Sequence, residues 1–274
     1  MLKKALKTTG ALLISAVMLA GCKGTPDTSN EGLADQIMSE DAAAAAAANT
    51  PKGETLPDVD IHNFISPEPG EKIAVMTIQD YGEIKIKFFP EDAAKGVENF
   101  IGLAETGYYD ELIFHRIIQD FMNQGGDPKG NGTGGNSMWG EPFEGGTSEH
   151  LYHFSGAVAY AHDAYSGTAG NGSQFYIVNT EEGDYSLGGR YLEDGSIYYY
   201  QSFEEAGLSL PGNVQEMYRE KGGYPGLDGD YTIFGQVFEG MDVIRAIAKV
   251  ETDANDKPLK PVIIESVRIV EYEG

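Results

Sequence analysis

The sequence predicts a mainly β domain, a barrel or sandwich of short strands. Three observations carry this expectation. Apolar residues alternate with polar ones in several short segments, and glycine-rich turns separate those segments. Only two helical stretches lie between them, without the strand–helix–strand alternation that a parallel sheet requires. At 41% hydrophobic and 23% charged, the 274 residues can build a core that needs no disulfides.

Structured sequence is expected to begin near Ile73. The run IAVMTI is one strand. Ile84, Ile86 and Phe88, alternating with Lys85 and Lys87, form a second, joined to the first at Asp80-Tyr81-Gly82. Pro90-Glu91-Asp92 opens a helix with acids at its positive end. Val97, Phe100, Ile101 and Ala104 form its buried stripe, and Gly107 stops it. Further strands are expected around 113–118, 120–123, 156–161, 174–178, 232–237 and 262–270, with a second helix over about 241–248. Residues 181–225 break the rhythm. They are acidic and tyrosine-rich, and are read as a surface insertion with a helix between Pro211 and Gly222 that buries Val214, Met217 and Tyr218 on one side.

Ahead of the domain, Lys3, Lys4 and Lys7 precede an apolar run from Ala11 to Ala20, the layout of a secretory signal and too short to span a bilayer comfortably. Cys22 is the only cysteine, and Leu19-Ala20-Gly21-Cys22 resembles the bacterial lipoprotein box. That resemblance implies cleavage after residue 21 and a diacylglycerol on Cys22. Two acyl chains anchor stably where one binds marginally. The expected organisation is a signal peptide over 1–21, a flexible tether over 22–70 and a domain over 71–274, held at the cell membrane on its extracytoplasmic side. The alanine run 42–48 lies in the tether and has no flanking apolar stripe to dock.

Nineteen basic against 43 acidic residues give a net charge of -24, which opposes binding to nucleic acid. Loss of residues 1–21 removes three lysines and no acid, so the charge falls further, to about -27. Gly130-Asn131-Gly132-Thr133-Gly134-Gly135 matches GxGxxG, yet Asp127-Pro128-Lys129 precedes it and Asn136-Ser137-Met138 follows. Neither the strand nor the helix that a nucleotide site needs is there, and a tight glycine loop is expected instead. Glu149, His150 and His153 are read as a solvated turn rather than a metal site. No serine sits in a nucleophile elbow, and the acid pairs Glu181-Glu182 and Glu204-Glu205 read as solvated surface. No metal or cofactor is expected, and the chain is expected to act as a monomer.

The segment FHRIIQDFMNQGGDPKGNGTGG, residues 114–135, carries the functional signal. Arg116 stands among Ile117, Ile118, Phe121 and Met122, followed by the amide of Gln124. An apolar floor with one cation and one amide suits an extended, mostly neutral peptide better than a phosphate or a metal.

FHRII-x-x-FM-x-QGGD closely resembles the cyclophilin signature. So do GNGTGG-x-S-x-x-GE-x-F-E (130–144), NGSQF (171–175) and LDG-x-x-x-x-FG-x-V-x-EGM (227–241), in the family's order over essentially the whole domain. The resemblance implies a closed eight-stranded antiparallel barrel capped by two helices, with the insertion added. It implies peptidyl-prolyl cis-trans isomerase activity on proline-containing polypeptides, here exported proteins, with Arg116 and Gln124 catalytic. His115, Phe121, Met122, Ala161, His162, Gln174, Tyr176, Leu227 and Tyr231 would bind substrate. A non-catalytic proline-peptide-binding chaperone or scaffold is the alternative: Arg116 and Gln124 favour the enzyme, whereas Gly226 and the insertion leave room for the binder. The chain departs from the family at Tyr176 (usually phenylalanine), Tyr231 (often histidine), His162 (commonly asparagine) and Gly226. Eukaryotic members usually carry a tryptophan at that last position, and its absence implies weak sensitivity to cyclosporin.

Overall fold

The computed structural model describes residues 56–163, 165–192 and 196–274. The expected signal peptide, Cys22 and the alanine run lie outside these residues. Among the described residues, no helix is long and apolar enough to cross a membrane.

Strands β1 (Lys72–Ile78) and β2 (Gly82–Phe88) form the expected hairpin. Its turn holds Asp80 at φ 65° and Gly82 at φ 120°, conformations that Asp and Gly tolerate best. Helix α1 (Ala94–Glu105) follows and buries Val97, Phe100, Leu103 and Ala104. It starts later than the Pro-Glu-Asp signal suggested, with no acid in its first turn. Asp92 instead takes hydrogen bonds from the Ser148 hydroxyl at 2.6 Å and from His62 Nδ1 at 2.7 Å. An acid usable as a helix start signal has been recruited by tertiary contacts.

The remaining strands are β3 (Leu112–Phe114), β4 (Arg116–Ile118), β5 (Met122–Gly125), β6 (Ala157–Tyr160), β7 (Phe175–Val178), β8 (Gly189–Tyr191), β9 (Ile197–Tyr199), β10 (Ile233–Glu239) and β11 (Val262–Glu271). Helices α2 (Gly212–Lys221) and α3 (Met241–Ile247) complete the elements. Nine strands join in the order β3-β11-β1-β2-β10-β6-β7-β5-β4. The two ends of this order, β3 and β4, flank His115 in a single stretch of chain. The first half pairs with β11 and the second with β5, while the His115 N–H donates to Gln124 O at 3.0 Å. Counted as one bent strand, they close an eight-stranded antiparallel barrel.

Alternation along the strands fills the barrel with Met76, Ile84, Ile86, Phe114, Ile117, Val158, Tyr160, Phe175, Ile177, Phe234 and Val267. Phe100 of α1 closes one end, its ring 4.8 Å from Tyr109 and 5.1 Å from Phe234.

The insertion carries its own small core of Leu187, Phe203, Ala206, Val214 and Tyr218, packed on Tyr152 and Phe154. Helix α2 buries Val214 and Tyr218 as its sequence pattern suggested. The β8–β9 hairpin was not anticipated. The chain returns to the barrel through Gly223 at φ 139°, where a side chain would collide with the backbone of His153 and Phe154.

The tether differs from expectation over its last part. Val59 and Ile61 pack against the insertion's core. Asn63, 2% exposed, donates to Tyr152 O and Gln236 Oε1 and accepts from the Tyr152 N–H, each at 3.0 Å. Lys87 reaches Ser66 O at 3.3 Å. Residues 59–66 are therefore part of the folded unit, because their few apolar and amide side chains find partners far away in sequence.

Candidate active site

The barrel's outer face gathers the predicted residues by strand register. Arg116 of β4 stands opposite Gln124 of β5, Gln124 opposite Tyr176 of β7, Tyr176 opposite Ala159 of β6, and Ala159 opposite Ile233 of β10. Directly opposed residues share a face, so one row across five strands carries a cation, an amide, a phenol and two apolar groups. Ile117, Phe175, Ile177 and Val158 occupy the opposite face, inside the core. Phe121, Met122, Leu151, Leu227 and Phe89 join the row's apolar members in a second cluster outside the barrel. Phe121 and Met122 are therefore groove residues, whereas Ile117 is barrel core.

Arg116, Phe121, Met122, Gln124, Ala161, His162, Tyr176, Leu227 and Tyr231 line one shallow apolar pocket of about 20 Å3. A cleft of about 1000 Å3 adjoins it along the glycine-rich loop and shares Gln124, Ala161 and His162 with it. Gln174 lies in the cleft. It accepts from Gln124 Nε2 at 3.0 Å and donates to Gly132 O and Gly134 O at 3.0 and 2.8 Å, fixing the amide of Gln124 to the loop. The glycine loop is not a phosphate cradle. Its N–H groups at Lys129, Asn131 and Gly132 already donate to the Asp127 carboxylate, at 2.8, 3.1 and 2.7 Å. Burial pushes that carboxyl up, and these backbone bonds outweigh it, leaving its pKa below the usual range.

Arg116 is 4% exposed. Its Nε lies 3.5 Å from Asp256 Oδ2, and among the described residues its buried Nη2 has no hydrogen-bond partner. Burial lowers the guanidinium's pKa and Asp256 opposes that shift; arginine stays charged. The result is a desolvated cation with donor capacity to spare. Burial, then Asp230, pushes the Tyr231 hydroxyl up to about 12, so it stays protonated beside that cation. His115 does not line the pocket. Its ring is buried behind the glycine loop, with neither nitrogen bonded among the described residues, and burial pulls its pKa down to about 4.

The model of the cyclophilin-type peptidyl-prolyl cis-trans isomerase family matches residues 73–269. The chain belongs to the cyclophilin-type isomerase family. It is 39% identical over 202 residues to a Staphylococcus saprophyticus protein named as a peptidyl-prolyl cis-trans isomerase, covering 74% of this chain and 94% of that one. A Streptococcus pyogenes protein named as a bifunctional phosphatase/peptidyl-prolyl cis-trans isomerase is 40% identical over 216 residues. That match covers 78% of this chain, which spans only 41% of the longer relative. Among solved structures, a Cryptosporidium parvum cyclophilin-type isomerase, crystallised in the presence of the dipeptide Ala-Pro, superposes with a TM-score of 0.53 at 27% identity. The superposition covers 73% of this chain and 99% of that one. The cyclophilin-type domain and its isomerase activity thus stand on family, relatives and fold together.

Two departures of this cyclophilin have visible consequences. The Tyr224 ring lies 3.7 Å from the place a Gly226 side chain would start, and packs on Phe121 with centroids 4.5 Å apart. The insertion's end thereby packs behind the pocket residue Phe121, beside Gly226. His162 stacks on Tyr231 at 4.3 Å, with Nδ1 2.8 Å from Asp163 O and Nε2 2.9 Å from Asp230 O. The rim there is built from side chains.

Three residues around this site were given no part in it by sequence reasoning. Asp256, beside Arg116, sits in a remote surface turn, and Asp228 was seen only as part of the LDG motif. His153, assigned to a solvated turn with Glu149 and His150, is fully buried, its Nδ1 2.9 Å from Asp228 Oδ1. Its apolar neighbours Leu151, Tyr152 and Phe154 were the available signal that this stretch is buried.

Proposed function

We propose that this isomerase acts on Xaa-Pro bonds of exported proteins and lowers the rotational barrier through Arg116. Rotation about such a bond breaks amide resonance against a barrier of roughly 18–20 kcal/mol. In the twisted state the proline nitrogen is pyramidal and regains a lone pair. A guanidinium donating to that lone pair binds the twisted state better than the planar one, so the step needs no covalent intermediate.

The observation that carries this reading is the row Arg116–Gln124–Tyr176 beside an apolar pocket, with a buried Nη2 lacking a hydrogen-bond partner among the described residues. Phe121, Met122, Tyr176 and Leu227 would cup the proline ring. Gln124, its Nε2 committed to Gln174, keeps its carbonyl oxygen for a substrate N–H. The shared border of pocket and cleft would let the peptide run from one into the other. Each tenfold in rate takes about 1.4 kcal/mol, a scale that a few such contacts reach.

The signal-like residues 1–21 and the lipoprotein box at Cys22 support a lipid anchor on the extracytoplasmic side, where unfolded exported chains are the clients. The test is cis-to-trans relaxation of an Ala-Pro peptide, followed with increasing enzyme. A rate that rises with enzyme supports the proposal, and an unchanged rate overturns it. For the anchor, Cys22→Ser should move the protein from membrane to soluble fraction; retention in the membrane would contradict lipidation.

A further inference from the structure

Behind the pocket lies a connected set of polar groups that the proposed chemistry does not use. The Tyr176 hydroxyl is 2.9 Å from His153 Nε2. On its other side, His153 Nδ1 is 2.9 Å from Asp228 Oδ1, which also accepts the His153 backbone N–H at 2.8 Å. Asp228 Oδ2 accepts the Tyr218 hydroxyl at 2.6 Å. Tyr218 belongs to helix α2 of the insertion, and Asp228 follows Leu227 of the pocket wall.

The carboxylate only accepts, so His153 Nδ1 carries a proton, and in the neutral ring Nε2 presents a lone pair. That lone pair takes the Tyr176 O–H. Burial raises both tyrosine hydroxyls well above the usual phenol range, so both remain donors. His153, Tyr218 and Tyr176 are 0%, 0% and 5% exposed, and the Asp228 side chain is 10% exposed, so these bonds are largely shielded from solvent. A phenylalanine at 176 would leave Nε2 buried and unpaired.

We propose that His153 and Asp228 are positioning residues of the isomerase: through Tyr176 they fix the wall of the proline pocket and tie it to the insertion at Tyr218. The ring of Tyr176 lines the pocket while its hydroxyl is held from behind, so the wall's position depends on a helix outside the barrel. This inference rests on the proposed proline pocket. It assigns the insertion a role in shaping substrate affinity, not in the chemical step. Contacts that hold the proline ring act alike on planar and twisted states, so the effect falls on KM rather than kcat.

Replacing His153 by alanine risks unfolding the chain, so the experiment removes hydroxyls alone. Tyr176→Phe, Tyr218→Phe and the double variant of the full chain are compared by kcat and KM on an Ala-Pro peptide, and by Kd for the same peptide from titration. Each single variant should raise KM and Kd about threefold to tenfold with kcat held, the scale of one buried hydrogen bond. The double variant should be no worse than Tyr176→Phe alone, because both act through one path. Unchanged KM and Kd in Tyr218→Phe, or effects that multiply in the double variant, would overturn the proposal. If the unaltered protein binds the peptide without turning it over, the isomerase reading fails while Kd still decides this one. If it binds no peptide at all, both fall.

Discussion

Arg116 and Gln124 face each other across the β4–β5 ladder, on the barrel's outer surface. Tyr176 stands next to Gln124 on the following strand. Strand alternation makes this row and the core interdependent: a slip of one residue would bury Arg116 in the barrel and expose Ile117. The hydrophobic pattern that fixes the fold therefore also delivers the cation to the pocket. The His115 N–H bonded to Gln124 O closes the ring at that same point.

Asp256 is the only charged group within ion-pair distance of Arg116 among the described residues. Asp256→Asn keeps a residue that tolerates the positive φ of 59° at this position. Asp256 is partly exposed, so solvent screens the pair and the effect is modest. Turnover of an Ala-Pro peptide is expected to fall about threefold, with less than about 1 kcal/mol lost in stability. An increase in turnover would show that Asp256 restrains rather than orients the guanidinium.

His115 makes stability depend on pH. Its folded-state pKa of about 4 lies below the ordinary 6.5, so the unfolded chain binds more protons between those values. Stability from this group is full above pH 6.5, declines as pH falls toward 4, and levels off below. The loss is on the order of 3 kcal/mol. Thermal melts from pH 7 to 5, above most carboxylate titrations, should slope downward in the unaltered protein and more gently in His115→Gln. Parallel curves would place the pH dependence elsewhere.

Asn63 tests where the domain begins. Asn63→Ala leaves the Tyr152 backbone groups and Gln236 without their side-chain partner in a buried place. Stability should fall by about 2–3 kcal/mol in urea unfolding. A chain starting at residue 71 should lose at least as much. Equal stability of the chains starting at 56 and 71 would return residues 59–66 to the tether.

The repeating part of the fold was legible in the sequence. Period-two runs marked the barrel strands but not the β8–β9 hairpin, helix stripes marked α1 and α2, and the FHRII and LDG motifs named most of the pocket. What stayed hidden depends on contacts between distant residues. His153 meets Asp228 across 75 positions and Asn63 meets Gln236 across 173, and no local pattern encodes such partners. His115 was grouped with the substrate residues because it precedes Arg116 as in the family, yet it sits at the bend between β3 and β4, where its ring packs behind the glycine loop and outside the pocket lining. The start of α1 was misjudged for a related reason: the partners of Asp92 are His62 and Ser148.

The most direct test of Arg116 separates catalysis from binding. Arg116→Ala in the full chain should lower kcat for an Ala-Pro peptide by about 100-fold, near 3 kcal/mol of transition-state stabilisation, while peptide Kd and melting temperature change little. A kcat retained within about threefold of the unaltered enzyme would contradict the account, because the twisted bond would then be stabilised by something other than the guanidinium.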